Sequence, residues 1–299
     1  MSPARSPRWL VTGAGGMLAR DLLPRLEAAG IPALGADRRK LDIVDATAVR
    51  EVFAAYRPAV VVNCAAFTAV DDAEEREEEA LAVNGRGPRW LADQCAASGA
   101  VLLQISTDYV FDGRADRPYR EDAVTGPRGA YGRTKLAGEQ AVLETCPEQG
   151  YVVRTGWLYG AAGHNFVATM IRAQRQRETL DVVDDQRGQP TWTADLAGQL
   201  TALGIAALAG DAPPGIYHGT SAGHTTWYEF AREIFGLLGA DPDRIRPISS
   251  DRFQSRTPRP AFSVLGHDRW AKAGLAPIRN WRPALAEAFP AVLAAASAG

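Results

Sequence analysis

The sequence is short of cysteine, histidine and lysine, and the first two shortages exclude whole classes of protein. Its three cysteines, Cys64, Cys95 and Cys146, cannot all pair, so a disulfide scaffold is excluded. Neither these cysteines nor the four scattered histidines show the spacing of metal ligands. We therefore expect reduced, buried cysteines, no bound metal and a cytoplasmic location.

The chain also lacks an excess of either charge and a long apolar run. A net charge of −2 and a pI near 6.1 give no electrostatic reason for binding nucleic acid or an anionic membrane. No apolar stretch reaches the length of about 18 residues that a membrane span requires. The basic first eight residues, MSPARSPR, lack the apolar segment of a signal peptide and are expected to form a loose tail.

Alternating apolar and amphipathic segments in the N-terminal half predict a layered α/β fold. Five short apolar runs predict strands at 9–12, 32–35, 59–63, 101–105 and 151–154. The segments between them have the length and pattern of helices, at 17–29, 46–56, 80–98 and 131–144. Such alternation forms βαβ units with right-handed crossovers. We predict a doubly wound parallel sheet of the Rossmann type, covered by helices on both faces.

The pattern loosens after residue 160, which predicts a smaller C-terminal domain. Helices are predicted at 165–176, 194–209, 226–238 and 284–296, strands at 180–183 and 215–218, and a loop-rich stretch at 244–260. We predict a dinucleotide-binding domain of residues 1–160 with returns at about 179–220. Residues 161–178 and 221–299 would then form a partly discontinuous substrate-binding domain.

Tyr131 and Lys135 stand four residues apart on the helix predicted at 131–144, about two dozen residues after Thr107. Four residues is just over one helical turn, so the phenol and the ammonium would point from the same face. A free phenol titrates near pH ~10, and a fixed ammonium beside it is expected to lower that pKa. Thr107 could hydrogen-bond the same reacting oxygen. The three residues predict a site that moves a proton at an oxygen while a hydride is transferred.

Lysine is so rare in this chain that its presence at position 135 is informative. Only three of the 33 basic residues are lysines, so arginine is the expected basic residue at any position. A compact ammonium suits a cofactor ribose and a phenol better than a planar guanidinium does. The alternative is an ordinary pair on a helix surface.

A glycine-rich turn follows the first predicted strand and opens the first helix. Gly13, Gly15 and Gly16 would let a pyrophosphate approach the helix N-terminus, with Met17 and Leu18 beside it. The strict G-x-G-x-x-G pattern is not met, because Leu18 occupies its third position. The position of this turn, between the first strand and the first helix, predicts the cofactor end of a dinucleotide site.

The turn after the second strand carries both signs of charge. Asp37 would favour the free 2′-hydroxyl of NAD, whereas Arg38 and its basic neighbours would pair with the 2′-phosphate of NADP. We expect NADPH, with NADH as a second option, and a solvated basic turn as the alternative. Further cofactor contacts are expected from residues after the second and third strands, namely Asp42, Ile43, Cys64, Ala65 and Ala66.

The segments VNCAAFTAVDDAE (62–74), STDYVFDG (106–113) and YGRTKLAGE (131–139) resemble those of the dTDP-4-dehydrorhamnose reductase family of extended short-chain dehydrogenases/reductases. The similarity continues in RTGWLYG (154–160), DDQRGQPTWTADLA (184–197) and RPAFSVL (259–265). It implies reduction of the C4 ketone of a nucleotide-linked 6-deoxy-4-ketohexose. Tyr131 would then deliver the proton, Lys135 would bind the nicotinamide ribose and Thr107 would hold the substrate oxygen.

A sugar nucleotide needs flat apolar surfaces for its rings and cations for its diphosphate. Trp157, Trp192 and Tyr109 are candidates for the surfaces, and Arg259 is the candidate cation. The family pattern also places Asp108, Trp157 and Arg259 near the substrate. The remaining tryptophans are expected to be structural.

Two departures from the family pattern and several rival functions qualify this expectation. Ala194 stands where some members carry a glutamate of a magnesium-linked dimer, so we expect a monomer or weak homodimer. Phe262 stands where asparagine is common. Sugar-nucleotide dehydratases carry a second acid where this chain has Tyr109. The alternatives that stay open are a reductase of a related dTDP-ketosugar from an antibiotic or capsule pathway, such as dihydrostreptose synthesis, and a non-catalytic cofactor-binding subunit.

Overall fold

The computed structural model describes residues 7–252 and 256–298, and its centre is a parallel six-stranded sheet. The sheet has the order β10-β5-β4-β3-β1-β2. Its strands are β1 (Trp9–Thr12), β2 (Ala33–Ala36), β3 (Val60–Asn63), β4 (Val101–Thr107), β5 (Gly150–Thr155) and β10 (Gly215–His218). The order reverses at β1, as in a doubly wound fold, so the Rossmann-like prediction is confirmed. Residues 1–6 of the predicted tail lie outside the described residues.

Helices cover both faces of this sheet. On one face, α1 (Met17–Ala28) and α8 (Thr193–Ala209) bury Leu22 and Leu200 against the strands. On the other face, α2 (Ala46–Tyr56), α5 (Gly87–Ser98) and α6 (Ala130–Thr145) bury Phe53, Leu91 and Val142. The strands between the two layers are almost wholly apolar, because a parallel strand buried on both faces has no solvent side.

The predicted helix 80–98 is interrupted. Two short helices, α3 (Asp72–Glu75) and α4 (Glu77–Leu81), lead into a π-helical segment, Ala82–Arg86, and only then into α5. Pro88 explains the interruption, because it has no N–H to donate to the Asn84 carbonyl four residues earlier. The Asn84 side chain instead bonds Phe67 and Thr134, which ties the segment to α6.

A ladder of buried polar side chains runs from the carboxyl ends of β1 and β3 to the middle of β4. The Thr12 hydroxyl donates to Asn63, whose amide donates to Gln104 Oε1 at 2.7 Å. Each polar group therefore has a partner, as burial requires. The ladder marks the edge of the sheet at which ligands of doubly wound folds bind.

A second core lies beside the main sheet. It joins α7 (Phe166–Gln176), α9 (Trp227–Leu237) and α11 (Trp281–Ala298) to a parallel pair, β7 (Leu180–Val183) and β12 (Ile245–Ile248). The predicted boundary at 179 had placed β7 with the cofactor domain, but β7 pairs with β12, inside the stretch 244–260 that was predicted to be loop-rich. Residues 253–255 of that stretch lie outside the described residues.

Short elements connect the two cores. They are β6 (Leu158–Tyr159), β8 (Arg187–Gly188), β9 (Thr191–Trp192), β11 (Thr225–Thr226) and α10 (Asp268–Lys272). β6 pairs with β9 and β8 with β11. Trp270 of α10 is buried in the main core, although its sequence region was predicted to belong to the substrate-binding domain.

The cysteines are unpaired, as the composition predicted. All three cysteines are free, with Cys95 and Cys146 buried and Cys64 half-buried. In the described parts of the chain, no helix combines the length and apolarity that crossing a bilayer demands.

Candidate active site

Helix α6 carries Tyr131 and Lys135 on the face that it turns toward β4. Its first turn packs tightly on the segment after β4, because a Cβ at Gly132 would lie 2.3 Å from the Tyr109 carbonyl oxygen. Only a glycine lets the two backbones approach this closely. The glycine of the YGRTK motif thus fixes the distance between Tyr131 and the end of β4, where Thr107 lies.

Tyr131 hydrogen-bonds Thr107, and Lys135 lies one turn further along α6, but the pKa of the phenol moves in the direction opposite to the prediction. Burial is the largest effect and raises the pKa of Tyr131 well above its usual value, while a hydrogen bond with Thr107 lowers it. The Asp108 carboxylate nearby raises it further. The expected acidification by Lys135 is therefore wrong, and the phenol is held protonated.

Lys135 is almost fully buried and donates from Nζ to the Ile105 carbonyl oxygen at 2.6 Å. Burial lowers its pKa to about 8, and the negative charge of Glu139 opposes that shift. Glu139 is itself held by Arg154, with Oε2 2.7 Å from a guanidinium nitrogen. Lys135 is therefore anchored in its place by a backbone carbonyl, with a buried ion pair one helical turn away.

Asp108 lies directly after Thr107 and is 3% exposed. Its Oδ1 accepts the Thr107 hydroxyl at 3.0 Å, and Ser263 also hydrogen-bonds the carboxylate. A Cβ at Gly156 would lie 2.7 Å from its Oδ2, so this glycine makes room for the acid. Burial raises the pKa of Asp108 to about 6 despite these hydrogen bonds.

Tyr109 contacts both Tyr131 and Arg259. The Tyr109 ring meets the Tyr131 ring edge to face, with centroids 5.7 Å apart. Arg259 donates to the Tyr109 hydroxyl at 3.4 Å and to Asp71 Oδ2 at 2.8 Å. The guanidinium that was predicted to bind phosphate is thus linked to Tyr131 through the ring of Tyr109.

A cleft of about 340 Å³ opens at the carboxyl edge of the sheet. Most of the predicted cofactor residues line it, namely Gly13, Gly16, Asp37, Arg38, Asp42, Ile43, Cys64, Ala65 and Ala66, and Gly15 joins them. Gly13 has φ +64°, and a Cβ there would lie 2.6 Å from the Ala65 nitrogen. The narrow floor of the cleft therefore depends on this glycine, and it admits a group that must lie close to the backbone.

Two residues that line the cleft lie near α6. Cys64 interacts electrostatically with Lys135, and Phe67 packs against the same alanine cluster as Tyr131. Burial raises the pKa of the Cys64 thiol to about 12, which keeps it neutral. Phe67 and Val83 line the cleft but were missed from the sequence, since an apolar residue after a strand carries no separate signal.

Four predicted cofactor residues, Met17, Leu18, Tyr131 and Lys135, do not line the cleft. The side chain of Leu18 is 6% exposed and packs into the main core, because it faces the sheet from the first turn of α1. The side chain of Met17 lies next to the backbone at Gly160 and Gly163.

Asp37 and Arg38, the two candidate residues in the charged turn after β2, have different partners. Asp37 Oδ1 accepts the backbone N–H groups of Arg39 and Lys40 at 3.1 and 3.0 Å, so its carboxylate closes the turn. Arg38 is 84% exposed and contacts Asp42 Oδ2 at 3.2 Å. An exposed ion pair of this kind is weak, so Arg38 can exchange Asp42 for another anion.

The two tryptophans predicted to bind substrate have different surroundings. Trp157 has φ +49° and stacks on Trp227, with centroids 3.4 Å apart. Trp192 packs against the second core, with the Arg279 guanidinium over its ring at 5.6 Å. Among the contacts of the described residues, none joins Trp192 to Thr107, Tyr131 or Lys135. Trp227, expected to be structural, supports the Trp157 ring.

The parallel sheet, the glycine turn after β1 and the Thr107–Tyr131–Lys135 group define a short-chain dehydrogenase/reductase of the extended type. Comparison with known proteins gives the family within that class. A protein-family sequence model, described as RmlD substrate binding domain, matches residues 7–293 of the chain. The chain belongs to the dTDP-4-dehydrorhamnose reductase family, whose members are NAD(P)H-dependent oxidoreductases.

Individual relatives cover almost the whole chain. A dTDP-4-dehydrorhamnose reductase of Streptomyces griseus is 61% identical and covers 98% of this chain and 96% of its own. A dTDP-4-keto-6-deoxy-D-glucose reductase of Streptomyces niveus is 55% identical, over 95% and 96%. The structure of a dTDP-4-dehydrorhamnose reductase from Bacillus anthracis in complex with NADP is 36% identical, with a TM-score of 0.90 over 95% and 99%.

Proposed function

We propose that the protein reduces the C4 ketone of dTDP-4-dehydro-L-rhamnose to give dTDP-L-rhamnose, with NADPH as the reductant. The observation that carries the proposal is the hydrogen bond between Tyr131 and Thr107, together with the electrostatic interaction of Lys135 on the same helix with Cys64, which lines the glycine-rich cleft. The Streptomyces griseus relative carries the name of this activity.

The reduced nicotinamide, when bound, supplies the hydride, and the residues of this chain place and protonate the oxygen. Thr107 donates a hydrogen bond to the ketone oxygen, and Tyr131 gives its proton to the alkoxide that forms there. A phenol in this role contributes on the order of 10²–10⁴ in rate. Lys135 holds the ribose and keeps a positive charge beside the phenolate that remains.

The cofactor cleft fits a dinucleotide phosphate. Gly13 and Gly16 admit the pyrophosphate close to the backbone, and Arg38 takes the 2′-phosphate of the adenine ribose in place of Asp42. Asp37 is already occupied by its own turn, which favours NADPH over NADH. NADH stays a second cofactor in this proposal.

Replacing Arg38 tests the 2′-phosphate assignment. We expect Arg38→Ala to raise KM for NADPH by about tenfold and to leave KM for NADH nearly unchanged, because only NADPH carries the extra phosphate. Arg39→Ala serves as the control on the same turn. An equal rise of both KM values in Arg38→Ala would remove Arg38 from the cofactor site.

A second candidate function is the reduction of a different dTDP-4-ketosugar. The 55% identical relative that is named for dTDP-4-keto-6-deoxy-D-glucose favours it, as does a Streptomyces antibioticus relative named as a probable 4-ketoreductase at 53% identity. The hydride machinery is common to both functions, so the sugar pocket decides between them. A non-catalytic role is disfavoured by the assembled Thr107, Tyr131 and Lys135.

A panel of 4-ketosugars distinguishes these functions. The protein is mixed with NADPH and each of several dTDP- and UDP-linked 4-ketosugars, and the absorbance of the reduced nicotinamide is followed. We expect the highest kcat/KM with dTDP-4-dehydro-L-rhamnose. A higher value with another ketosugar would transfer the function to the second candidate, and no oxidation of NADPH with any of them would indicate a silent subunit.

In the same proposal, the protein acts in the cytoplasm on a small-molecule nucleotide sugar, as a monomer or weak homodimer without a metal bridge. The dinucleotide-binding domain comprises the main sheet with its helices. The substrate-binding domain comprises the second core. Thr107, Asp108, Tyr109, Trp157 and Arg259 contact the sugar nucleotide.

A further inference from the structure

The helix that carries Tyr131 begins without a capping side chain of its own. Its N-cap residue is Gly129, which makes no side-chain hydrogen bond. By contrast, α2, α7 and α9 are capped by Asp45, Asn165 and Thr226. The first N–H groups of a helix need acceptors from outside the helix, so α6 has to obtain one from another part of the chain.

Glu74 provides that acceptor from 56 residues earlier in the sequence. Its Oε1 accepts the backbone N–H of Ala130 at 2.8 Å, one residue before Tyr131. A carboxylate at this end of a helix is also favoured by the helix dipole. The residue lies at the surface, but its Oε1 is turned inward to the start of α6.

The surroundings of this contact are tightly packed. A Cβ at Gly129 would lie 2.7 Å from Glu74 Oε1 and 2.6 Å from Thr257 Cγ2, so the glycine leaves the space that the carboxylate fills. Beside it, Ala73 is buried together with Ala130, and the Tyr131 ring packs against this cluster. The short helix α3 thus holds the start of α6 by packing and by a hydrogen bond.

We propose that Glu74 is a positioning residue for Tyr131: it supplies the missing N-cap of α6 and so fixes where the phenol stands relative to Thr107. The proposal rests on the proposed function for its kinetic consequence. Misplacement of a reacting group by about 1 Å can cost on the order of a hundredfold in rate, so a shift of the first turn of α6 has a measurable effect.

The position of Tyr131 is measured without any substrate. The full chain is labelled with ¹³C at the tyrosine ring, and the Tyr131 resonance is assigned by its loss in Tyr131→Phe. We expect Glu74→Ala and Glu74→Met to move this resonance, and Glu74→Gln, which keeps an acceptor oxygen, to restore it. Glu78→Ala is the matched control, since Glu78 pairs with Arg86 on the surface, and among the described residues no hydrogen bond or ion pair joins its side chain to α6.

Kinetics give the second readout. We expect Glu74→Ala to lower kcat by at least about tenfold with KM for NADPH within about twofold, and Glu74→Gln to recover most of kcat. An unmoved Tyr131 resonance in both Glu74→Ala and Glu74→Met would overturn the proposal, as would an unchanged kcat. Failure of the proposed function would show itself differently, as a wild-type protein that oxidises no NADPH while the resonance shift persists.

Discussion

At the scale of single residues, burial decides the chemistry of the site more than the neighbouring charges do. The phenol of Tyr131 is surrounded by protein and by Asp108, so its proton is held more tightly than in water. An unshifted phenol already keeps its proton at neutral pH, and burial moves the pKa of Tyr131 further from neutrality. Lys135 then matters for the phenolate that is left behind after the proton has been delivered.

Removal of the phenol hydroxyl tests its role as the acid. We expect Tyr131→Phe to lower kcat by at least about a hundredfold, because phenylalanine has no hydroxyl to give its proton to the alkoxide. Binding of NADPH, measured by fluorescence titration, should stay within a few-fold of wild type. A near-normal kcat would remove Tyr131 as the acid.

Asp108 should make the stability of the protein depend on pH. Its pKa is raised to about 6 in the folded protein, so the protonated carboxyl stabilises the fold relative to the unfolded chain. This stabilisation is complete below the ordinary pKa of 3.8 and is lost as the pH rises through about 6. A shift of this size corresponds to roughly 3 kcal/mol. We expect Asp108→Asn to abolish this loss, measured by urea unfolding of both proteins at pH 4 and pH 7.

Subtracting the pH dependence of Asp108→Asn from that of wild type cancels the contributions of the other titrating groups to the free energy of unfolding. A control variant, Asp93→Asn, alters a surface carboxylate that pairs only with Arg89 and should leave the pH dependence of wild type intact. If Asp108→Asn and wild type show the same change in unfolding free energy between the two pH values, Asp108 does not titrate in this window.

At the scale of elements, close backbone contacts position the catalytic helix. α6 touches the Tyr109 carbonyl through Gly132 and the Asn84 carbonyl through Gly138, where a Cβ would lie 2.3 and 2.1 Å from the respective oxygens. These contacts hold α6 against the end of β4 and against the π-helical segment. The geometry of the Thr107–Tyr131 contact therefore depends on two residues that have no side chain.

An added methyl group at Gly132 should displace the helix. We expect Gly132→Ala to lower the free energy of unfolding by about 1–3 kcal/mol and to reduce kcat, because the backbones must separate. Gly236→Ala is the control, since a Cβ there meets nothing within 4 Å in the last turn of α9. It should stabilise the protein by up to about 1 kcal/mol. Equal stability of the two variants would contradict the account.

The sequence predicted the long elements well and the short ones poorly. β1, β3 and α2 were found because four or more residues show a clear apolar or helical pattern. Four strands have only two residues each, too few to show a periodicity: β6, β8, β9 and β11. β12 contains Arg246 and Pro247 and directly follows Arg244, a composition that is not typical of a strand. Its pairing with β7 is a long-range contact that local patterns do not encode.

The same limit applies to the site. The identities of Thr107, Tyr131 and Lys135 and most of the cleft could be predicted, because they follow strand ends and share a helix face. The direction of the Tyr131 pKa could not, since spacing along a helix gives proximity but not exclusion of water. The Glu74 contact joins residues 56 apart, so sequence alone gave no sign of it.

At the scale of the whole molecule, the main sheet and the second core are joined by aromatic contacts next to the site. Trp157 leaves the end of β5 in a left-handed conformation and stacks on Trp227 of α9. Gly188 makes room for it, since a Cβ there would lie 2.2 Å from the indole. A substrate that spans the two parts would meet this indole pair.

Parallel replacement of the two tryptophans separates binding from packing. We expect Trp157→Ala to weaken binding of the sugar nucleotide by about tenfold while NADPH binds normally, as calorimetry would show. Trp192 packs on the second core, so Trp192→Ala should chiefly lower the free energy of unfolding. The loss for a fully buried ring is about 3–5 kcal/mol, and we expect less here because Trp192 is only half-buried. A selective loss of substrate affinity in Trp192→Ala would restore its assignment from the sequence.

The most direct measurement of the central claim follows the hydride itself. The protein is given dTDP-4-dehydro-L-rhamnose and NADPH that carries deuterium at the transferable position, and the product is analysed by NMR. The account predicts deuterium at C4 of the hexose in wild type, and almost none with Tyr131→Phe in the same time. Oxidation of the cofactor without deuterium at C4, or no oxidation at all, would contradict it.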